Sequence, residues 1–359
     1  MKPYHLLIAL FGCIFLFSCS SKDDTSGDQD PQNVDIYFPP LNSDTWETKS
    51  IAELNWNENQ LQPLLNYLEE KNTKSFIVLH KGKIVIESYF DGHTDTSPWY
   101  WASAGKTLTT AVTGIAQEEG LIDINNKVSD YLGTGWTSAP INKENLITCK
   151  HLLSMNSGLD DGLGDDVPVS NLQYLEDAGN RWAYHNVYVK LQDVMAEASN
   201  QTRSNYVNYI MKNKIGMTGT WLQNGDLSVY WSSTRSMARF GLLSYANGMW
   251  ENEQIIPENY LNDAVNTSQS INQAYGYLWW LNGKSTYHLP QSQIEFPGEL
   301  IPNAPSDMYA ALGKNDQKIY VVPSQGLVVI RMGDAAEGEN FSLSSFDNQL
   351  WGKINTLIH

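Results

Sequence analysis

The chain has 359 residues, 42% hydrophobic and 11% aromatic, which is enough for a large core and too much for a disordered protein. A formal net charge of −17 argues against a nucleic-acid partner, since phosphate binding needs a basic face. Of three cysteines, Cys13 and Cys19 stand at the extreme N-terminus; Cys149 is alone in the body, cannot form an internal disulfide, and reads as a buried structural thiol.

Residues 1–19 have the form of a secretory signal. Lys2 is the positive flank, and Leu6 to Phe17 is an apolar run too short to span a bilayer. It closes on Leu16-Phe17-Ser18-Cys19, which resembles the bacterial lipobox and implies cleavage before Cys19 and lipidation of its thiol. An ordinary signal peptide that happens to contain a cysteine is the alternative. Residues 20–46 begin polar and aperiodic and read as a flexible tether. The expectation is an exported lipoprotein held at the cell envelope, at the outer membrane, through an N-terminal lipid, with the body over residues 47–359.

Along the body, Leu61, Leu64, Leu65 and Leu68 have helical spacing within Gln60–Lys71. Ser75–His80 and Lys83–Tyr89 flank Lys81-Gly82 as a hairpin. Ser103–Glu119 reads as a helix ending at Gly120. Helix-like runs and Gly/Asn/Asp loops fill the middle. Met308–Leu312, Lys318–Val322 and Leu327–Met332 are strand-like, and Phe346–Ile358 closes as an amphipathic helix. Strands at both ends predict an α+β fold. One antiparallel sheet (47–100 and 301–359) would be flanked by the terminal helices, with a mainly helical lobe over 101–300. A cleft between the lobes is the natural ligand site.

Trp101-Ala-Ser103-Ala-Gly-Lys106-Thr carries the candidate chemistry. Ser-x-x-Lys at a helix start puts both side chains on one face, about one turn apart. A desolvated lysine can then accept the serine proton, and the helix N-terminus favours developing negative charge. No other lysine in the chain has a serine three residues before it. A capping serine beside an exposed lysine is the plainer reading. Gly105-Lys106-Thr107 is not a phosphate loop, because position 100, where that motif needs glycine, is Tyr100. Further on, Trp182-Ala-Tyr184-His-Asn186 offers a tyrosine that can relay a proton and an asparagine that can hold the lysine.

Together these residues resemble the serine β-lactamase-like superfamily of class C β-lactamases, DD-peptidases, related esterases and 6-aminohexanoate-oligomer hydrolases. Ser103-Ala-Gly-Lys106, Glu119 to Leu132, Ile147-Thr-Cys-Lys-His-Leu-Leu-Ser-Met-Asn-Ser-Gly-Leu159, Tyr184-x-Asn186, Ser233 to Leu243 and Tyr275-Gly-Tyr-Leu-Trp-Trp280 carry the likeness. The resemblance implies a β-lactamase/transpeptidase-like fold, Ser103, Lys106 and Tyr184 as catalytic residues, and Asn186 at the substrate. It also implies a third element, Ala311-Leu312-Gly313-Lys314, with Gly313 allowing close approach and the Lys314 N–H as second oxyanion donor. Ala311 replaces the usual cationic residue, a form closer to the esterase and oligomer-amide hydrolase branch.

The expected function is therefore acyl transfer to water on small esters or linear amides, with no cofactor and no metal. A cell-wall DD-peptidase or β-lactamase, and a non-catalytic surface binding protein, are the alternatives. Asp160-Asp161 and Asp165-Asp166 read as a solvated loop, with a pocket for an amine-ended substrate as the sharper option. His185 reads as a bystander, and most of the twelve tryptophans as core.

Overall fold

Apolar, β-branched runs from the two ends of the chain meet in one sheet. The computed structural model describes residues 36–338 and 343–359, so the signal segment, Cys19 and tether residues 20–35 lie outside the described residues. β1 (Thr73–His80) and β2 (Lys83–Tyr89) form the first hairpin. Its turn puts Lys81 at φ 48° and Gly82 at φ 85°, the left-handed pair that a tight hairpin requires. β3 (Trp99–Tyr100), β4 (Thr220–Asn224) and β5 (Leu227–Ser232) make a small sheet in the order β3-β5-β4. β6 (Met249–Trp250) and β7 (Glu253–Gln254) pair, β8 (Trp280–Leu281) joins the edge of the main sheet, and β9 (Thr286–His288) pairs with β10 (Glu295–Pro297). β11 (Tyr309–Gly313), β12 (Gln317–Val322) and β13 (Leu327–Gly333) complete the main antiparallel sheet, ordered β2-β1-β13-β12-β11-β8.

Every position of β12 and β13 is buried, so the sheet is covered on both faces. The helices in chain order are α1 (Leu61–Glu70), α2 (Lys106–Glu118), α3 (Ser129–Leu132), α4 (Ile141–Glu144), α5 (Cys149–Leu153), α6 (Val189–Ser199), α7 (Arg203–Ile210), α8 (Thr234–Tyr245), α9 (Glu258–Ala264) and α10 (Ser345–Ile358). On one sheet face Asp347 of α10 takes hydrogen bonds from Lys318 and Tyr320, and Tyr67 of α1 stacks on Phe346. The intervening residues point the other way. There Gly241 of α8 comes so close that a Cβ would lie 2.6 Å from Val328 Cγ1 and 3.2 Å from Ile319 Cγ2.

Two boundaries differ from expectation. Residues 36–46 belong to the body, not to a tether. Tyr37 N donates to Lys81 O at 3.0 Å, Trp46 Nε1 donates to Gly82 O at 2.7 Å, and Arg239 donates to Pro39 O and Pro40 O at 3.3 and 2.7 Å. The aromatic residues among 36–46 supply enough burial to fix this segment. In addition, α8 and β8 fall inside 101–300 yet pack on or join the main sheet, so the sheet lobe draws on the middle of the sequence as well as its ends. Among the described residues, no helix is long and apolar enough to cross a membrane.

Beneath α10 lie charges that no periodicity signals. Arg331 is fully buried and donates to Thr73 Oγ1 and to the carbonyls of Lys71, Asn315, Asp316 and Asp334. Burial lowers its pKa to about 10. Lys318 pairs with Asp316 at 3.1 Å and Asp347 at 2.9 Å. These groups pin the loop that follows β11, where Asn315 and Asp316 both have positive φ.

Candidate active site

Ser103 sits on a 3₁₀ turn, Ala102–Gly105, which runs directly into α2. The regular helix starts at Lys106, not at Ser103, because the turn enters through Ala102 at φ 47°. A non-glycine residue there costs about 1–2 kcal/mol, so neighbours must hold it. Trp101 is one: buried, it donates through Nε1 to Ser232 Oγ at 2.8 Å and through its backbone N–H to Tyr230 O at 2.8 Å. Gly313, at the end of β11, presses from the other side. A Cβ on it would lie 2.5 Å from Trp101 O and 2.9 Å from Ala104 N, so only glycine lets the strand end approach this turn.

One turn along, Lys106 places Nζ 2.8 Å from Ser103 Oγ and 3.1 Å from Asn186 Oδ1. The residue is 2% exposed. Burial pushes its pKa down to about 7, with the Asp165 carboxylate working in the opposite direction. The rings of Tyr184 and Tyr188 lie 5.0 and 4.7 Å from Nζ and favour the cation, by about 0.5–2 kcal/mol each; they limit the shift. Asn186 is oriented by its own donor, since Nδ2 reaches Asp165 O at 3.0 Å and leaves Oδ1 facing the lysine.

Tyr184 packs in a cage of Trp182, Tyr275 and Trp280, with ring centroids 5.6–6.1 Å away. Burial raises its phenol to about 12, against hydrogen bonds with Ser103 and Trp280 that pull it down. Ser103, Lys106, Tyr184, Asn186 and Lys314 line one open cleft of about 510 Å³. Gly313 abuts its Ser103 wall, and Ala311 is buried within β11. Cys19 lies outside the described residues.

The acidic residues differ in part from their sequence reading. Asp161 is buried and pairs with Arg181 at 2.7 Å, while Asp165 lines the cleft; the acidic loop is only partly a solvated one. His185 is buried in the cleft wall, and burial lowers its pKa. Tyr188, on the 3₁₀ turn Asn186–Tyr188, is the neighbour of Lys106 to which the sequence reading gave no role; its place two residues after Asn186 was the only signal. Cys149 is buried, and burial pushes its thiol up to about 12, which keeps it inert. Among the described residues, no cluster of three or more His, Cys, Asp or Glu side chains could hold a metal ion.

An antiparallel sheet between terminal helices and α8, with a serine–lysine pair at the cleft beside it, places the protein in the serine β-lactamase-like superfamily, a group of hydrolases. Residues 68–342 match the Beta-lactamase family, and the chain belongs to it. An uncharacterized protein of Alkalihalophilus pseudofirmus is 23% identical over 296 residues, 72% of this chain and 82% of that one. Among solved structures, one from Bacillus anthracis described as a 6-aminohexanoate-dimer hydrolase superposes with a TM-score of 0.68 at 18% identity, covering 89% of each chain. An octameric penicillin-binding protein homologue from Pyrococcus abyssi gives 0.58 at 12% identity, over 83% of this chain and 76% of that one.

Proposed function

We propose that the chain is a serine hydrolase acting through an acyl-enzyme on small esters or linear amides. One observation carries the reading: a buried lysine amine with a pKa near 7 lies 2.8 Å from a serine oxygen at the floor of an open cleft. In this reading neutral Lys106 takes the Ser103 proton as Oγ bonds to the substrate carbonyl carbon. The carbonyl electron pair moves onto oxygen, where the N–H groups of Ser103 and Lys314 receive it. The proton passes through Lys106 and Tyr184 to the leaving alcohol or amine as its bond to carbon breaks. Water, deprotonated by the same pair, then attacks the acyl-enzyme and releases Ser103. Asn186 holds Lys106 and the substrate carbonyl. Export and anchoring through a lipid on Cys19, at the cell envelope, are part of the proposal and rest on residues 1–19.

A fluorophosphonate probe tests it. The wild type should gain one adduct, mapped by mass spectrometry to Ser103, and Ser103→Ala should gain none. Equal labelling of both would leave the binding-protein reading in its place. A second reading, cell-wall DD-peptidase or β-lactamase, is favoured by Lys314, whose exposed ammonium borders the cleft and could meet a substrate carboxylate. Nitrocefin turnover and release of D-alanine from D-Ala-D-Ala peptides separate the two.

Asn186→Asp gives an internal check on Lys106. It would set a carboxylate where the amide oxygen now lies, 3.1 Å from Nζ, and so raise the lysine pKa. The neutral amine would then dominate only at higher pH. The acidic limb of the pH–rate profile for a p-nitrophenyl ester is expected to move up by about one to two units. An unmoved limb would remove Lys106 as the base.

A further inference from the structure

In β5 the polar residues face inward and the apolar ones outward. Leu227, Val229 and Trp231 alternate with Ser228, Tyr230 and Ser232, and the second set is the buried one, 8, 0 and 2% exposed. The inward groups have partners. Tyr230 Oη donates to Thr218 O at 3.0 Å; Ser232 Oγ donates to Ser233 O at 2.9 Å and accepts from Trp101 Nε1 at 2.8 Å. The inward face therefore props the turn that carries Ser103. Leu227, Val229 and Trp231 are left half-exposed, against the usual pattern in which such a strand turns its apolar residues to the core.

The neighbouring strands widen this open face, because residues opposite in register point the same way. Leu222 of β4 opposes Val229, Asn224 opposes Leu227, and Tyr100 of β3 opposes Trp231 from the other side. Leu222 is 48% exposed, and the Tyr100 and Trp231 rings lie 5.5 Å apart. Leu227 packs against the core; Val229 and Trp231 do not. None of these residues is charged. Asp165 and Lys314 belong to other walls of the cleft, and Asp226 to the β4–β5 turn.

Continuity with the cleft decides the occupant. Asn224, Leu227 and Val229 line the same opening as Ser103, Lys106 and Tyr184. At the other end of the face, Asn315 Nδ2, beside the proposed oxyanion donor Lys314, donates to Tyr100 Oη at 2.6 Å. Leu227 to Trp231 spans about 13 Å at the rise of a strand, the reach of a straight chain of several methylenes. Tyr184 and Asn186, which serve the leaving group in the proposed reaction, come from the loop before α6 and not from this sheet. The sheet wall is thus left to the acyl side.

We infer that the open face of the β3-β5-β4 sheet is the acyl-chain subsite of the cleft and selects esters or amides of straight, apolar acids. The acyl assignment rests on the proposed hydrolase reading. Its test is the ratio of kcat/KM for p-nitrophenyl hexanoate to that for the acetate, which cancels any loss of folded enzyme. At about two- to threefold per methylene covered, the wild-type ratio should be about twentyfold or more. Leu222→Ser/Val229→Ser and Trp231→Ser should each lower it about fivefold or more, while Gln223→Ala, on the opposite face of β4, keeps it. A ratio near one in wild type, or an unchanged ratio in both face variants, overturns the inference. So does a chain-length gain found only when the alcohol is lengthened, from ethyl to hexyl acetate. A wild-type dimer that light scattering shows as a monomer in Leu222→Ser/Val229→Ser would give the face to a second copy, and equally overturns it. Failure of the hydrolase reading shows separately, as ester turnover surviving in Ser103→Ala; the face itself is then read by saturation-transfer NMR with octan-2-one, whose signal should fall in the same two variants.

Discussion

Lys106→Met is expected to abolish turnover and to make the protein more stable. Removal of the proton acceptor should lower kcat by about 10³–10⁴-fold. The same amine is a burden on the fold, since burial moves its pKa from 10.5 to about 7. Below pH 7 folded and unfolded chains both carry the proton, and the folded state bears the full penalty. Between pH 7 and 10.5 the unfolded chain is protonated and the folded one is not, so stability rises with pH; above 10.5 the penalty is gone. At about 1.4 kcal/mol per unit the penalty below pH 7 is of order 5 kcal/mol. Methionine cannot donate to Ser103 or Asn186, and breaking those two hydrogen bonds offsets about 1 kcal/mol each. Methionine fills nearly the same volume, so a net gain of about 2–3 kcal/mol is expected at pH 6–7, shrinking as pH rises towards 10.5. Urea melts of both proteins at pH 6, 8 and 10 measure it. A difference that is constant across that range would mean that Lys106 keeps an ordinary pKa.

Gly313→Ala is expected to harm catalysis without touching any group that reacts. The new methyl would collide with Trp101 O and Ala104 N, at 2.5 and 2.9 Å. Both are backbone atoms, so no side chain can swing away. β11 is held between β12 and β8, which leaves the Ser103 turn to yield. A shift of about half an ångström would separate Ser103 N–H from Lys314 N–H at the proposed oxyanion site. A loss of about 10²-fold in kcat is expected, with about 1–3 kcal/mol of stability and little change in KM for a small ester. Steady-state kinetics with thermal melts decide it. Wild-type kcat in a folded Gly313→Ala protein would dismiss the oxyanion role given to this strand end.

Much of the frame was legible because its signals are local. The hairpin is marked by Lys81-Gly82, the closing strands by Leu327–Met332, and the serine–lysine pair by helical spacing. What escaped depends on partners distant in sequence. Residues 36–46 look like loop until Trp46 meets Gly82 and Pro40 meets Arg239. α8 reads as any amphipathic helix, and only Gly241 records that a sheet lies against it. Asp165 reaches the lysine through the backbone of a loop without periodicity. Arg331 stands in an apolar strand, where a charge looks like an edge marker until its five acceptors are known. Ala311 marked the departure in the third element, and its burial in β11 gives the physical content of that departure.

Arg331 also sets an order of assembly. Its guanidinium joins Lys71 and Thr73, 260 and 258 residues earlier in the chain, to the loop directly after Gly313. Closing so long a span is slow, and until it closes the carbonyl of Asp316 lacks its guanidinium donor, while that of Asn315 keeps only Gln317 Nε2 at 2.9 Å. A nascent chain emerging from the ribosome would therefore hold Ser103 and Lys106 long before it holds a finished oxyanion strand. If the proposed oxyanion site is the one that works, reactivity would arrive only when the two extremities of the polypeptide have met.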